Sequence, residues 1–81
     1  MPEVTVRYFA AAADAAGVDE ERVSIEGATL GDLQAALTAR HGMALAKVMR
    51  IGSFLVDGVV RREPGHPVAA RVDILPPFAG G

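Results

Sequence analysis

One long amphipathic segment limits the folds that this chain can adopt. Thr29-Leu30-Gly31-Asp32 has the pattern of a capping box, which marks the start of a helix. Leucines at positions 30, 33 and 37 then follow at helical spacing. Arg40 and His41 give the last turn the positive charge that suits a helix C-terminus, and Gly42 supplies a stop. The sequence therefore predicts one main helix over residues 29–41.

The rest of the chain consists of short stretches that alternate between apolar and polar residues, as strands do. Asp57-Gly58 lies between two of them and predicts a type I′ hairpin. Ala10–Ala16, ended by Gly17, predicts a short helix or a loop, and Asp19-Glu20-Glu21 a charged turn. Met43–Arg50 fits either a helical turn or an irregular connection. The predicted strands are Val4–Phe9, Arg22–Glu26, Ser53–Val56, Val59–Arg62 and Ala70–Leu75.

This order, β-β-α-β-β-β, predicts an α+β roll in which one main helix covers one face of a mixed sheet. The first two strands can pair antiparallel, and in such layouts the last strand often lies beside the first. With 81 residues, the chain is expected to form a single domain over 1–81. The predicted core, or its face-swapped neighbours, is Val4, Val6, Ile25, Leu33, Leu37, Phe54, Val56, Val72 and Ile74.

Composition excludes several classes of function. The formal net charge of -2 argues against a general nucleic-acid binder, which usually carries a basic excess. The chain has no cysteine, so a disulfide framework, a thiolate metal site and a cysteine nucleophile are all excluded. Neither a targeting segment nor a membrane span is recognisable, and we therefore expect a cytoplasmic protein that binds no membrane.

Few side chains have a pattern that points to chemistry within the chain. His41 and His66 are the only imidazoles, and we expect both to be solvated or locally hydrogen-bonded rather than metal ligands or bases. Ser24 and Ser53 have no base nearby in the sequence and are interpreted as strand residues. Asp19-Glu20-Glu21 is better explained as a solvated charge run than as a cation site. No metal site is predicted.

The C-terminus is the unusual part of the sequence. Pro76-Pro77 ends the last strand, because proline cannot donate to the ladder. Phe78, Ala79, Gly80 and Gly81 follow, and there the sequence stops. A frayed end is the alternative explanation. However, two residues without Cβ atoms can thread a narrow channel and bring a terminal carboxylate into another protein's active site. Residues 76–81 are therefore predicted to be an exposed reactive tail.

Leu75-Pro76-Pro77-Phe78-Ala79-Gly80-Gly81 resembles the terminal signature of the small subunit of molybdopterin synthase, the MoaD type of the MoaD/ThiS ubiquitin-like sulfur carriers. Val6–Ala10 with the alanine-rich segment resembles the opening of that family, and Ala28-Thr29-Leu30 with its leucines resembles the central helix. Val56-Asp57-Gly58 stands where the family usually has Val-Asn-Gly. The family's acidic Gly-Asp turn before the last strand is missing. The resemblance spans nearly the whole chain and is most specific in the tail.

The resemblance implies a ubiquitin-like β-grasp fold and a role as the sulfur-donor subunit of molybdopterin synthase, not a catalyst on its own. An activating enzyme of the E1 type would adenylate the Gly81 carboxylate with ATP, and sulfur from a sulfurtransferase or persulfide donor would displace AMP to leave a thiocarboxylate. The tail would then enter the large synthase subunit, in a heterotetramer, and give its sulfur to a cyclic pyranopterin. No cofactor would be bound to this chain, and ATP would be used by the partner.

The resemblance also implies roles for single residues. Gly81 carries the reactive carboxylate, Gly80 gives the tail clearance, and Pro76, Pro77, Phe78 and Ala79 set its exit and its contact with the partner. By position, Phe9, Val60 and Leu75 are expected to form an apolar docking patch, with core or ordinary strand residues as the alternative. Three other functions stay open: a sulfur carrier for thiamin, cysteine or natural-product synthesis, a modifier that forms isopeptide bonds to lysines, and an interaction module with an inert tail.

Overall fold

The computed structural model describes residues 2–77, which form five strands and three helices. Phe78, Ala79, Gly80 and Gly81 lie outside the described residues. Among residues 2–77, no helix is both long and apolar enough to cross a bilayer. In chain order the elements are β1 Glu3–Tyr8, α1 Ala11–Ala16, β2 Glu20–Ser24, α2 Leu30–His41, α3 Met43–Ile51, β3 Ser53–Val56, β4 Val59–Arg61 and β5 Arg71–Leu75.

The strands form one mixed sheet in the order β2-β1-β5-β3-β4. β1 and β5 run parallel, with Val6 opposite Val72, and every other neighbouring pair is antiparallel. The predictions that the first two strands pair antiparallel and that the last strand lies beside the first are both confirmed. Because β5 is the central strand, the chain continues toward Gly81 from the middle of the sheet.

The helices cover one face of the sheet, which we call the inner face, and the core lies between the two layers. Burial of these apolar side chains is the main source of stability in a domain of this size. Helix α2 contributes three buried leucines, and α3 adds Leu45 and Met49. Every residue of the predicted core is buried, namely Val4, Val6, Ile25, Leu33, Leu37, Phe54, Val56, Val72 and Ile74.

The start of α2 is held by both local and distant contacts. The Thr29 hydroxyl accepts a hydrogen bond from the Asp32 amide at 3.2 Å, and the Asp32 carboxylate accepts one from the Thr29 amide at 3.1 Å. The predicted capping box is therefore confirmed. The amides of Leu30 and Gly31 donate to carbonyl oxygens of the loop between β4 and β5, at 2.8 Å each. These contacts satisfy amides that have no partner inside the helix.

The segment that the sequence left open, Met43–Arg50, lies in helix α3. Its first turn follows Gly42, which has a φ of 87° and no side chain to act as a cap. Leu45 and Met49 are four residues apart, so both face the core from one side of the helix. Packing against α1 and α2 stabilises this helix, and without a polar N-cap its start was not visible in the sequence.

Strand β2 begins at Glu20, two residues before its predicted start, and ends at Ser24. The predicted turn over Asp19-Glu20-Glu21 is therefore wrong for Glu20 and Glu21. In the antiparallel register Glu20 lies opposite Arg7 and Glu21 lies opposite Val6. Pairing with β1 gives these residues backbone partners, and this outweighs the low strand propensity of glutamate.

Two turns form as the sequence predicts. Asp57 and Gly58 have φ values of 52° and 79°, the left-handed region that both central residues of a type I′ turn require. Gly17 ends α1 in the left-handed conformation, with φ 78°, and its amide donates to the Ala13 carbonyl. The hairpin turn joins β3 to β4 and thereby sets which residues of β4 face each side of the sheet.

Candidate functional site

The candidate site lies on the face of the sheet opposite the helices, which we call the outer face. Side chains alternate between the two faces along a strand, so the strand neighbours of a residue in the apolar core lie on the outer face. Asp73 and Leu75, for example, alternate with the buried Val72 and Ile74 in β5. The outer-face residues nearest the end of β5 are Arg7, Phe9, Ser53, Leu55, Val60, Asp73 and Leu75.

Strand pairing brings one row of these residues together across four strands. Arg7 lies opposite Asp73, Asp73 opposite Leu55, and Leu55 opposite Val60. These residues come from β1, β5, β3 and β4, and so from both ends of the chain. The outer face therefore combines a charged centre with apolar side chains toward β4.

A second row lies one step further along β5, toward the tail. The Phe9 amide donates to the Ile74 carbonyl at 3.2 Å, which extends the parallel β1–β5 pairing and puts Phe9 beside Leu75. On its other side Leu75 lies opposite Ser53. The apolar side chains of this row lie where the chain leaves the sheet, immediately before Pro76.

The three predicted docking residues thus share the outer face. Phe9 is 38% exposed and Val60 is 52% exposed, and Leu75 is half-buried between its neighbouring strands. None of the three belongs to the buried core. Their role in binding a partner stays a prediction, and their common face is the geometry that such a role requires.

An ion pair between Arg7 and Asp73 organises the centre of the outer face. Two guanidinium nitrogens of Arg7 donate to the two carboxylate oxygens of Asp73, at 2.9 and 3.1 Å. The Asp73 side chain is 9% exposed, and the hydrogen bond from Arg7 to this carboxylate raises the pKa of the guanidinium above its ordinary value. The guanidinium carbon also lies 5.3 Å from the centre of the Phe9 ring. These contacts fix Arg7 beside Phe9.

Sequence reasoning missed this pair, because its members are 66 residues apart. The available signal was a charged residue amid apolar ones in the last strand, where Asp73 lies between Val72 and Ile74. An acid so placed is an unusual choice for a central strand and indicates a cationic partner on a neighbouring strand.

The described part of the tail is its base. Pro76 is half-buried and Pro77 is exposed. The predictions for Phe78, Ala79, Gly80 and Gly81 fall outside the described residues and stay predictions. Leu75 is the last residue held by strand pairing, so the outer-face row at Phe9 and Leu75 is where the tail begins.

A second polar cluster lies at the end of α2 and joins it to the sheet. Glu21 Oε2 accepts a hydrogen bond from the Tyr8 hydroxyl at 2.5 Å and lies 2.5 Å from His41 Nε2. Glu21 Oε1 accepts from Arg40 Nε at 2.9 Å. The Tyr8 and His41 rings meet edge to face, with centres 5.8 Å apart. Tyr8, Arg40 and His41 thus all contact the carboxylate of Glu21, which indicates a structural cluster.

The cluster corrects two predictions and shifts two pKa values. His41 is neither solvated nor locally bonded, since its partner lies 20 residues away, and Glu21 is not a solvated charge. Burial raises the pKa of Tyr8, and the bond to Glu21 raises it further. Burial alone would raise the pKa of Glu21, but hydrogen bonds from Tyr8 and His41 lower it below its ordinary value.

Two further site predictions concern metal ligands and serines. Across residues 2–77, no group of three or more histidine, aspartate or glutamate side chains is placed to hold a metal ion. Ser24 and Ser53 both lie in strands, as predicted. Ser53 is buried, and its hydroxyl accepts a hydrogen bond from Arg62 Nε at 3.3 Å.

Comparison with known proteins gives one family and several similar structures. The family model described as the ThiS family matches residues 6–81. No match was found among proteins with curated descriptions. The crystal structure of SAMP1 from Haloferax volcanii is 30% identical, covers 98% of this chain and 99% of its own, and superposes with a TM-score of 0.78.

Two other solved structures resemble the chain over nearly its full length. A putative molybdopterin converting factor, subunit 1, from Pyrococcus furiosus is 26% identical with a TM-score of 0.76, covering 96% of this chain and 100% of its own. The solution structure of small archaeal modifier protein 1 from Methanosarcina acetivorans is 25% identical with a TM-score of 0.78, covering 100% and 98%. The predicted ubiquitin-like β-grasp fold is therefore confirmed.

Proposed function

Because this chain belongs to the ThiS family of ubiquitin-like proteins, we propose that it carries sulfur as a thiocarboxylate on Gly81. The family match extends to that terminal glycine, so it includes the tail as well as the folded part. Glycines at the last two positions suit a tail that must enter a narrow site on another protein.

One observation carries the proposal: Phe9, Val60 and Leu75 share the outer face of the sheet, and Phe9 and Leu75 lie where the tail begins. A partner that covers this face would lie directly beside the tail. The six residues from Pro76 to Gly81 can span about 20 Å when extended, which is enough to reach a buried active site from a docked surface. The outer face of the sheet can therefore bind the partner while the tail brings the reacting carboxylate to its active site.

Three reagents act in turn on the terminal carboxylate: ATP, a protein persulfide and a thiol. A carboxylate oxygen of Gly81 attacks the α-phosphorus of ATP, pyrophosphate leaves, and an acyl-adenylate forms. The outer sulfur of a protein persulfide attacks the acyl carbon, and AMP leaves with the electrons of the broken C–O bond. A thiol then attacks the resulting S–S bond, forms a disulfide with the inner sulfur and releases the thiocarboxylate. Activation is required because a free carboxylate is a poor electrophile.

Within this chemistry we assign the chain to molybdopterin synthesis, as the small subunit of the synthase. The support is the resemblance of the Leu75–Gly81 tail and the similarity to the putative molybdopterin converting factor subunit from Pyrococcus furiosus. In this assignment the tail enters the large subunit and its sulfur attacks a carbon of a cyclic pyranopterin, where a C–O bond breaks and its electrons leave with the oxygen; each of the two dithiolene sulfurs is delivered by one such tail. Water then cleaves the acyl–sulfur bond, so that Gly81 returns as a carboxylate and the sulfur stays on the pterin.

The test is a reconstitution in two stages. The chain is incubated with ATP, an E1-type activating enzyme and a persulfide donor, and its intact mass is expected to rise by the exchange of one oxygen for one sulfur. The thiocarboxylate form is then mixed with the large synthase subunit and the cyclic pyranopterin, and dithiolene formation is measured. Failure of the first stage rejects the sulfur carrier. Success of the first stage with failure of the second rejects only the pathway.

A second candidate function is protein modification, because the similar structures from Haloferax volcanii and Methanosarcina acetivorans are named SAMP1, which stands for small archaeal modifier protein 1. Here the same acyl-adenylate would lead to an isopeptide bond between the Gly81 carbonyl and a lysine ε-amine of another protein, with AMP as the leaving group. Lysine adducts that carry this chain in cell extract, dependent on ATP and on Gly81, would support this candidate. Their absence, with sulfur transfer intact, would reject it.

A further inference from the structure

Gly52, between α3 and β3, lies against the backbone of the last residue of β5. A Cβ at Gly52 would overlap the carbonyl oxygen of Leu75, and it would lie 3.2 Å from the carbonyl carbon of that residue. It would also lie 2.8 Å from the carbonyl oxygen of Val48. Both neighbours are backbone atoms, which cannot move aside as a flexible side chain can. A glycine is therefore the residue that fits this space.

The requirement is for space and not for an unusual backbone conformation. Gly52 has φ -92° and ψ -154°, an extended conformation without the positive φ that favours glycine. The conformational freedom of glycine does not explain its presence, so the close approach to Leu75 does. Gly52 is itself fixed from the other side, because its amide donates to the Val48 carbonyl of α3 at 2.8 Å.

We propose that Gly52 is a positioning residue for the reactive tail: its contact with the Leu75 carbonyl sets the point and direction from which the tail leaves the sheet. The inference rests on the proposed function, since it concerns the tail that carries sulfur. Gly52 touches neither substrate nor reacting atoms, and it acts through Leu75. Neither Gly52 nor α3 belongs to the outer face that is expected to dock the partner.

The segment after Leu75 can transmit a displacement toward Gly81. Leu75 precedes a proline, which disfavours helical backbone angles for it and keeps it extended. The rings of Pro76 and Pro77 fix their own φ angles near -65°, so the first part of the tail is stiff. With the two φ angles fixed, the base of the tail has fewer torsions that can absorb a displacement of the Leu75 carbonyl, and part of it is passed on toward Gly81.

The strand pairing of Leu75 does not make this contact redundant. Leu75 lies opposite Ser53, the residue next to Gly52, and this is the last pair of the β3–β5 ladder. The last pair of a ladder has a neighbouring pair on one side only, so it opens more easily than the pairs inside the ladder. Gly52 packs against Leu75 at this end, where pairing alone leaves the most freedom.

The structural arm of the test compares G52A with G65A by backbone amide NMR. Gly65 is the matched control, because a Cβ there meets nothing within 4 Å and its φ lies outside the positive region. G52A is expected to shift the amide signals of Ser53 and Leu75, and G65A to leave them in place. Unchanged Leu75 signals in G52A would overturn the proposal. So would a G52A chain that is unfolded where G65A is folded, because the contact would then be a determinant of folding.

The functional arm measures single-turnover sulfur transfer to the cyclic pyranopterin on the large subunit, at a temperature where both variants are fully folded. G52A is expected to lower the rate at saturating partner by about 10- to 100-fold, because a misplacement of about 1 Å at the reacting atom has effects of that size. The partner concentration at half-saturation is expected to stay within about twofold of wild type, because the docking face is intact. A rise in that concentration with the saturated rate unchanged would overturn the proposal.

Failure of the proposal and failure of the proposed function are distinguishable. If wild type forms no thiocarboxylate, the sulfur-carrier function is rejected, whereas the shift at Leu75 is still measured without any sulfur chemistry. If wild type transfers sulfur and G52A transfers it equally fast, the function stands and the positioning role is rejected.

Discussion

Val59 and Val60 are adjacent in β4 and similarly exposed, at 47% and 52%, yet they lie on opposite faces of the sheet. Val59 pairs with Val56, whose side chain is in the core, whereas Val60 pairs with Leu55 on the outer face. Variants at these two valines can therefore distinguish an effect of the outer face from an effect of exposure on an edge strand alone.

The first prediction uses this pair. V60D places a charge in the proposed docking face and is expected to weaken binding to the large subunit or the activating enzyme by about 10-fold or more. V59D, on the opposite face of the same strand, is expected to change the affinity by less than about twofold. Titration calorimetry measures both. Equal losses in the two variants would contradict the assignment of the outer face.

The second prediction concerns the cluster at the end of α2. Glu21 accepts hydrogen bonds from Tyr8 and Arg40 and contacts His41, and its side chain is 14% exposed. Because E21Q replaces a charged acceptor by an amide that is partly a donor, the free energy of unfolding is expected to fall by about 1–3 kcal/mol. The exposed Glu26 gives the control, and E26Q is expected to stay within about 0.5 kcal/mol of wild type. Urea denaturation measures the free energy of unfolding of both variants.

The third prediction gives the pH dependence of the same cluster. The pKa of Glu21 is lower in the folded chain than its ordinary value of 4.5, so the folded state binds the proton less readily than the unfolded state. Its contribution to stability is present above pH 4.5 and is lost as the pH falls through the lower folded pKa. Denaturation from about pH 7 to about pH 3 is expected to show a shallower acid loss for E21Q than for wild type. Parallel curves would contradict this.

The fourth prediction uses the single tyrosine of the chain. Tyr8 is 3% exposed, and burial followed by the bond to Glu21 raises its pKa above the ordinary value of 10. Stability from this group is present below pH 10 and is lost as the pH rises above it, because the unfolded state ionises first. Phenolate absorbance is therefore expected to appear together with alkaline unfolding. A reversible titration near pH 10 in the folded chain would contradict the buried bond.

The fifth prediction concerns the end of the tail. One alanine added after Gly81 moves the carboxylate by about 3.5 Å and is expected to abolish sulfur transfer, because the reacting atom must reach a fixed point in the partner. The thermal melt is expected to be unchanged, since the addition lies beyond the last strand. An alanine added at the N-terminus is the control. Normal thiocarboxylate formation and sulfur delivery by the extended chain would reject the terminus as the reactive group.

Much of the fold could be predicted because its signals are local. The capping box at Thr29 and Asp32, the leucine spacing of α2 and the turn at Asp57-Gly58 each depend on residues within one or two turns of chain. Alternation in the strands divided their residues between two faces and left open which face is buried, and the structure buries the face that holds Val4, Val6, Val72 and Ile74. The tail motif likewise needs no folded context to be recognised, since it is contiguous.

Other features were decided by packing. Helix α3 has no polar cap, and the burial of Leu45 and Met49 against the other helices stabilises it. Glu20 and Glu21 belong to a strand because β1 supplies their partners, despite their low strand propensity. The same pairing brought Glu21 to Tyr8 and His41 and turned an expected solvated charge into a buried acceptor.

The sequence by itself determined the main helix with its capping box, most of the strands and the Asp57-Gly58 turn, because each follows from the conformational preferences of neighbouring residues and from periodicity. Only the tertiary structure decided which distant residues meet: Arg7 with Asp73, Phe9 with Leu75, and Gly52 with the Leu75 carbonyl. The physical reason is that strand order and register fix these contacts, and they result from burying all the apolar faces together, a condition on the whole chain that no short segment contains.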